Sequence, residues 1–155
     1  MMQTETVPVA DGVFTWPSEE PRLIASRHPQ TGDLSFPAAD PAAGEEELLL
    51  SRVGTLFTWT TQQFVPPSPP YVGDTDPASF EPYAVGYVEL PEGLLVEGRL
   101  TESDPGRLRI GQPMELVVVP FRVRGVGGQP DREVVTFAFA PVTEETASTD
   151  GEAAR

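Results

Sequence analysis

The chain has 155 residues, enough for one domain with tails, and its 18 prolines and 14 glycines favour short strands and loops over long helices. It contains no cysteine, which excludes disulfides, thiol nucleophiles and cysteine-ligated metals within it. A formal net charge of -14, with every basic residue an arginine, disfavours nucleic acid and anionic membranes as partners unless the arginines gather on one face.

No apolar run reaches the roughly 18 residues of a membrane span. The opening MMQTETVPVADG has neither the basic segment nor the apolar core of a signal peptide, so a cytoplasmic location is expected. Residues 1–20 lack periodicity and read as an arm that lays Phe14 and Trp16 onto the domain or a partner. Residues 21–37 predict a short hairpin. Leu23 and Ile24 begin one arm, Thr31-Gly32-Asp33 turns, and Leu34 and Phe36 form the other. A second turn follows at 40–44, and Leu48, Leu49 and Leu50 then run extended into the next element.

That element is VGTLFTWTT at 53–61, whose β-branched and aromatic residues suit a half-buried strand. Alternation puts Leu56, Thr58 and Thr60 on one face and Phe57, Trp59 and Thr61 on the other. A proline-rich loop at 65–82 carries Tyr71 and Phe80. It is too long for a plain connection, too proline-rich to be slack and too aromatic to leave in water. With Phe64 and Tyr83 it is the expected partner contact.

Tyr83–Leu90 and Leu94–Thr101 predict a hairpin about Pro91-Glu92-Gly93. Gly86 and Gly98 within it suggest a bend or bulge. Ser103 or Asp104 is expected to cap one helical turn begun by Pro105, with Leu108 and Ile110 inward and Gly111 ending it. Met114–Val123 predicts a fourth strand, its Pro120 marking an edge or bulge. Glu133–Ala140 alternates cleanly as a fifth. Residues 142–155 are acidic and polar, and a disordered tail is expected. The fold class is therefore all-β. Five antiparallel strands with a helical turn between the third and fourth have the order of an OB-fold barrel, here at 53–141.

The chain contains no catalytic motif. It has one histidine, His28, in a turn, and no lysine or cysteine. The paired acids at Glu45–Glu47 and at Asp74 and Asp76 lie in polar stretches. Gly125-Val126-Gly127-Gly128 joins two strands instead of opening a helix. Arg99, Arg107, Arg109, Arg122 and Arg124 concentrate in the second half of the barrel. The first three are candidate contacts for an anion, such as the phosphates of coenzyme A or an acidic patch on a partner. The rival use of such a barrel is binding single-stranded nucleic acid or a small ligand as a free-standing module. Phe57, Trp59, Tyr83 and Tyr87 are available for stacking, but no basic groove is evident.

Four segments, PRLIASRHPQTGDLSFP, VGTLFTWT, PYAVGYVELPEGLLVEGRL and DPGRLRIGQPMELVV, resemble in order and spacing a family of acyl-CoA-associated OB-fold proteins. These were long described as a domain of unknown function, and they carry a rubredoxin-like zinc ribbon ahead of the barrel. Where that ribbon has two cysteine pairs, this chain has His28 and Thr31, then Asp40 and Ala43. The resemblance therefore implies a degenerate, metal-free hairpin at 21–52. It also implies a non-catalytic accessory subunit with no cofactor of its own. The implied assembly is a hetero-oligomer with a thiolase-like or lipid-transfer-protein-type aldolase subunit. That partner acts on acyl-CoA thioesters, including those of steroid side-chain and aromatic degradation.

Overall fold

A computed structural model of the chain describes residues 7–67, 73, 76–125 and 127–142. The expected disordered tail, from Thr143 onward, and Tyr71 lie outside the described residues. No α-helix occurs among the described residues.

The first three strands are β1 (Ile24–Arg27), β2 (Leu34–Ser35) and β3 (Glu46–Leu49), which form a small antiparallel sheet in the order β2-β1-β3. The hairpin of β1 and β2 follows the expected turn, with Gly32 at φ 78°. The leucine run at 48–50 is more than a lead-in. Ile24 pairs with Leu49 and Ala25 with Leu48, so it supplies a third strand. That partner lies over twenty residues upstream, and local pattern does not reveal it.

Strands β4 (Val53–Gln62), β5 (Tyr83–Glu89), β6 (Leu95–Leu100), β7 (Pro113–Val123) and β8 (Arg132–Pro141) close into a barrel in the order β4-β5-β6-β8-β7. All pairings are antiparallel except a short parallel one, Arg99 to Ala138 and Leu100 to Phe139. Between β6 and β7, Pro105–Arg107 makes one 3-10 turn, with the Asp104 carboxylate accepting from the Gly106 N–H. Leu108 is buried as expected. Ile110 is not: it is 70% exposed. The neighbouring Gly111, at φ 93°, donates to the Leu56 carbonyl and brings the backbone to β4 without the Ile110 side chain.

The expected alternation along β4 also fails midway. The register with β5 shifts between Leu56 and Thr58. Such a bulge inserts one residue and exchanges the faces beyond it. Leu56 is fully buried, Phe57 is exposed, and Trp59 turns inward onto the core. Gly86 and Gly98, by contrast, mark no bulge. They pair directly in an unbroken β5–β6 ladder, and their missing side chains leave room inside the barrel. A Cβ at Gly86 would come within 2.8 Å of the Thr58 carbonyl oxygen.

Pro120 lies on an edge. It pairs with Val135, beyond the last β7 residue bonded to β4, Glu115. The Val135 N–H donates to Val7 and its carbonyl accepts from Val9, so its peptide groups face the N-terminal arm. In an antiparallel ladder the opposite residue then points its nitrogen away as well, and the N–H that proline lacks is not required there.

One apolar cluster joins the two sheets. Phe14, Leu23, Ala25 and Leu50 pack with Leu56, Val88, Met114, Leu116 and Phe139 of the barrel, and Phe36 packs against the same cluster. The Phe36 ring meets Phe137 edge-on at 5.9 Å. Trp16 meets Phe14 in the same way at 6.3 Å, so the arm lays its two aromatics on the domain. Two arginines lock the junction through backbone carbonyls. Arg22 donates to Leu49 and Leu50, and Arg52 donates to Pro21 and Leu116. The Glu92 carboxylate accepts from both the N–H and the hydroxyl of Ser51.

Candidate partner-binding surface

Residues of β5 alternate between core and surface. Ala84, Gly86 and Val88 point inward and are buried, while Tyr83, Val85, Tyr87 and Glu89 line the outer face. Across the ladders, Val85 lies between Thr60 and Arg99, and Tyr87 lies between Thr58 and Glu97. The bulge places Phe57 at the same level, 52% exposed, with Tyr87 at 41%. A shallow, mostly apolar hollow of ≈ 140 Å³ opens between Thr58, Thr60, Val85, Tyr87 and Glu97. Large apolar groups left in water on a sheet face suit contact with another protein.

At one end of this face the proline-rich loop adds Phe80, whose ring meets Tyr83 at 6.0 Å. The Arg99 guanidinium lies 3.9 Å from the centre of the Tyr83 ring and 6.0 Å from that of Phe121. The structure thus gathers Phe80, Tyr83 and Arg99. Phe64 is 80% exposed, and Tyr71 lies outside the described residues.

The other candidate arginines do not join this group into a basic groove. Arg107 is exposed and pairs with Glu102 at 3.6 Å and Asp104 at 3.9 Å. Arg109 sits on the exposed stretch after the 3-10 turn, and its backbone N–H donates to the Gln112 side chain. Arg122 pairs with Asp131, and with Arg124 it lines a polar cavity of ≈ 430 Å³ shared with Asp76 and Asp131. Among the described residues, each of these arginines except Arg109 stands beside an acid or a ring. Sequence order alone does not distinguish them.

In the turns around the small sheet, His28 and Asp40 serve their own loops. His28 Nδ1 accepts from the N–H groups of Gln30 and Thr31, both at 3.2 Å. Asp40 Oδ1 accepts from Ala42 at 2.8 Å, capping the 3-10 turn Pro41–Ala43. Among the described residues no group of three or more histidine, aspartate or glutamate side chains is arranged to hold a metal ion. No helix among them is long and apolar enough to cross a membrane.

A closed five-stranded barrel with this strand order and an intervening helical turn defines an OB-fold module. Residues 49–119 match the family model described as the C-terminal OB-fold domain of ChsH2. The chain is 30% identical over 109 residues to a DUF35 domain-containing scaffold protein of Pyrococcus furiosus, covering 67% of this chain and 74% of that one. It is 33% identical over 107 residues to the benzoylsuccinyl-CoA thiolase subunit BbsA of Thauera aromatica, covering 66% of this chain and 67% of the relative. A solved structure named Ltp2-ChsH2(DUF35) aldolase aligns at 23% identity with a TM-score of 0.49, over 79% of this chain and 86% of that one. The chain belongs to the DUF35 family of OB-fold proteins.

Proposed function

We propose that this chain is a non-catalytic accessory subunit of a thiolase-like complex, thiolase or retro-aldolase, that acts on acyl-CoA thioesters. One observation carries the reading: the 33% identity to a protein named as a thiolase subunit, over two thirds of that protein's length. A second relative is named a scaffold protein, which supports a role in assembly. The chain's own chemistry agrees. It lacks cysteine and lysine, and its one histidine accepts two turn N–H groups through Nδ1. A nucleophile, base and orienting group in mutual reach are what an acyl-transfer site needs.

In this reading the outer face of β4-β5-β6 meets the partner, and Phe64, Tyr71, Phe80 and Tyr83 are the contact residues. The partner supplies the catalytic residues. Arg99, Arg107 and Arg109 are the anion contacts, and Arg107 must leave Glu102 and Asp104 to act as one. The acyl group is an intermediate of steroid side-chain or aromatic degradation, and the assembly is a cytoplasmic hetero-oligomer. Single-stranded nucleic acid is a poorer fit, because Glu89 and Glu97 flank Tyr87 on the face where phosphates would run. Affinity purification of the tagged chain from its own cells tests the proposal. A stoichiometric thiolase-like protein is the expected companion; recovery of the chain alone, or with nucleic acid, would overturn it.

A further inference from the structure

Arg99 differs from the other arginines whose side-chain partners are described above. Arg22 and Arg52 have their guanidinium groups bonded to backbone carbonyls. Arg107 and Arg122 have carboxylates within 4 Å. Arg99 is half-buried and is held by the rings of Tyr83 and Phe121. Among the described residues no carboxylate or carbonyl hydrogen-bonds its guanidinium. A ring beneath a guanidinium fixes its plane and satisfies its charge in part. Among the described residues it leaves the edge N–H groups, the ones that grip a carboxylate in pairs, without acceptors.

Arg99 and Tyr83 line a cavity of ≈ 320 Å³. Thr101, Ser103, Val119 and Pro120 also line it. The cavity adjoins the outer face through Val85, which pairs with Arg99. Glu81 also lines it, and its negative charge opposes a dianionic phosphate more than a single carboxylate.

We propose that this cavity is a socket for one aspartate or glutamate side chain of the partner subunit. Arg99 grips the carboxylate by its paired N–H groups, and the Tyr83 and Phe80 rings pack beside it. The inference rests on the accessory-subunit reading for the identity of the partner. It adds the chemistry by which that partner is registered on the barrel. An ion pair flanked by rings is shielded from water and sets orientation.

Two measurements on the full-length chain test it. The first follows the Arg99 Nε–Hε signal by NMR, assigned by its loss in Arg99→Lys, during titration at constant ionic strength. N-acetylglutamate methylamide is expected to shift it saturably, and the uncharged glutamine analogue is expected to leave it in place. Equal responses to both would overturn the socket. A response to coenzyme A but not to the glutamate compound would also overturn it, and would make the cavity a phosphate site. The second measures the Kd for the thiolase-like subunit isolated with the chain. Arg99→Met should weaken binding about tenfold or more, with Arg99→Lys intermediate, while both variants melt close to the parent. Unchanged affinity in Arg99→Met would overturn the proposal even if the complex forms. If the parent chain binds no such subunit, the accessory reading fails, and the NMR titration still decides the chemistry of the cavity.

Discussion

Gly98 lies directly against the ring of Phe139: a Cβ added there would stand 2.9 Å from both Cδ2 and Cε2 of that ring, and 3.1 Å from Cε2 of Phe137. Phe139 is fully buried, so the ring has no free volume into which to retreat.

Gly98→Ala should therefore destabilise the fold by about 1–3 kcal/mol, as overpacked cores do. Urea denaturation checks this through a lowered midpoint at unchanged slope. A midpoint equal to the parent's would show that the barrel interior yields at this point.

Arg52 ties the junction of the two sheets to both sides, through the carbonyls of Pro21 and Leu116. Hydrogen bonds from a charged donor contribute about 1.5–3 kcal/mol each in buried settings and less where water reaches them. Arg52→Met keeps much of the stem and removes both bonds, and should cost about 2 kcal/mol by the same scale. Limited proteolysis is expected to cut the variant first between residues 22 and 52, because the small sheet then opens before the barrel.

The small sheet is held by packing. Leu23 is buried and Phe36 meets Phe137, while His28 and Asp40 accept turn N–H groups. Chelation with EDTA should leave the melting temperature unchanged, unlike a domain whose folding is coupled to zinc. Elemental analysis returning one zinc per chain would contradict this.

Phe57 and Tyr87 are exposed on the proposed contact face. Replacing both with alanine should weaken the complex by about 2 kcal/mol or more if they anchor it, and the isolated chain should melt as before. Calorimetric titration and thermal denaturation separate the two effects. A large loss of Tm would instead assign the two rings to the fold.

The strands of the barrel and the 3-10 turn were legible in the sequence because each is specified locally. Period-two patterning marks Tyr83–Leu90 and Glu133–Ala140, and Asp104-Pro105 marks the cap. The bulge at Phe57 was not legible: nothing in TLFTWTT distinguishes an extra residue from one more step of alternation, and strict alternation puts Trp59 on the wrong face. The third strand of the small sheet and the carbonyls gripped by Arg22 and Arg52 depend on partners far along the chain. Of the candidate surface, the ring residues and Arg99 were visible as residue types. Their gathering was not, since Phe80, Tyr83, Arg99 and Phe121 come from a loop and three strands.

Reconstitution tests the central claim most directly. The purified thiolase-like subunit, this chain, and their mixture would each be assayed for acyl-CoA cleavage beside a measurement of complex mass. The expected result is a stable complex whose turnover exceeds that of the partner alone, with no turnover from this chain by itself. Cleavage by the isolated chain would contradict its accessory role, as would full activity of the partner without any complex formed.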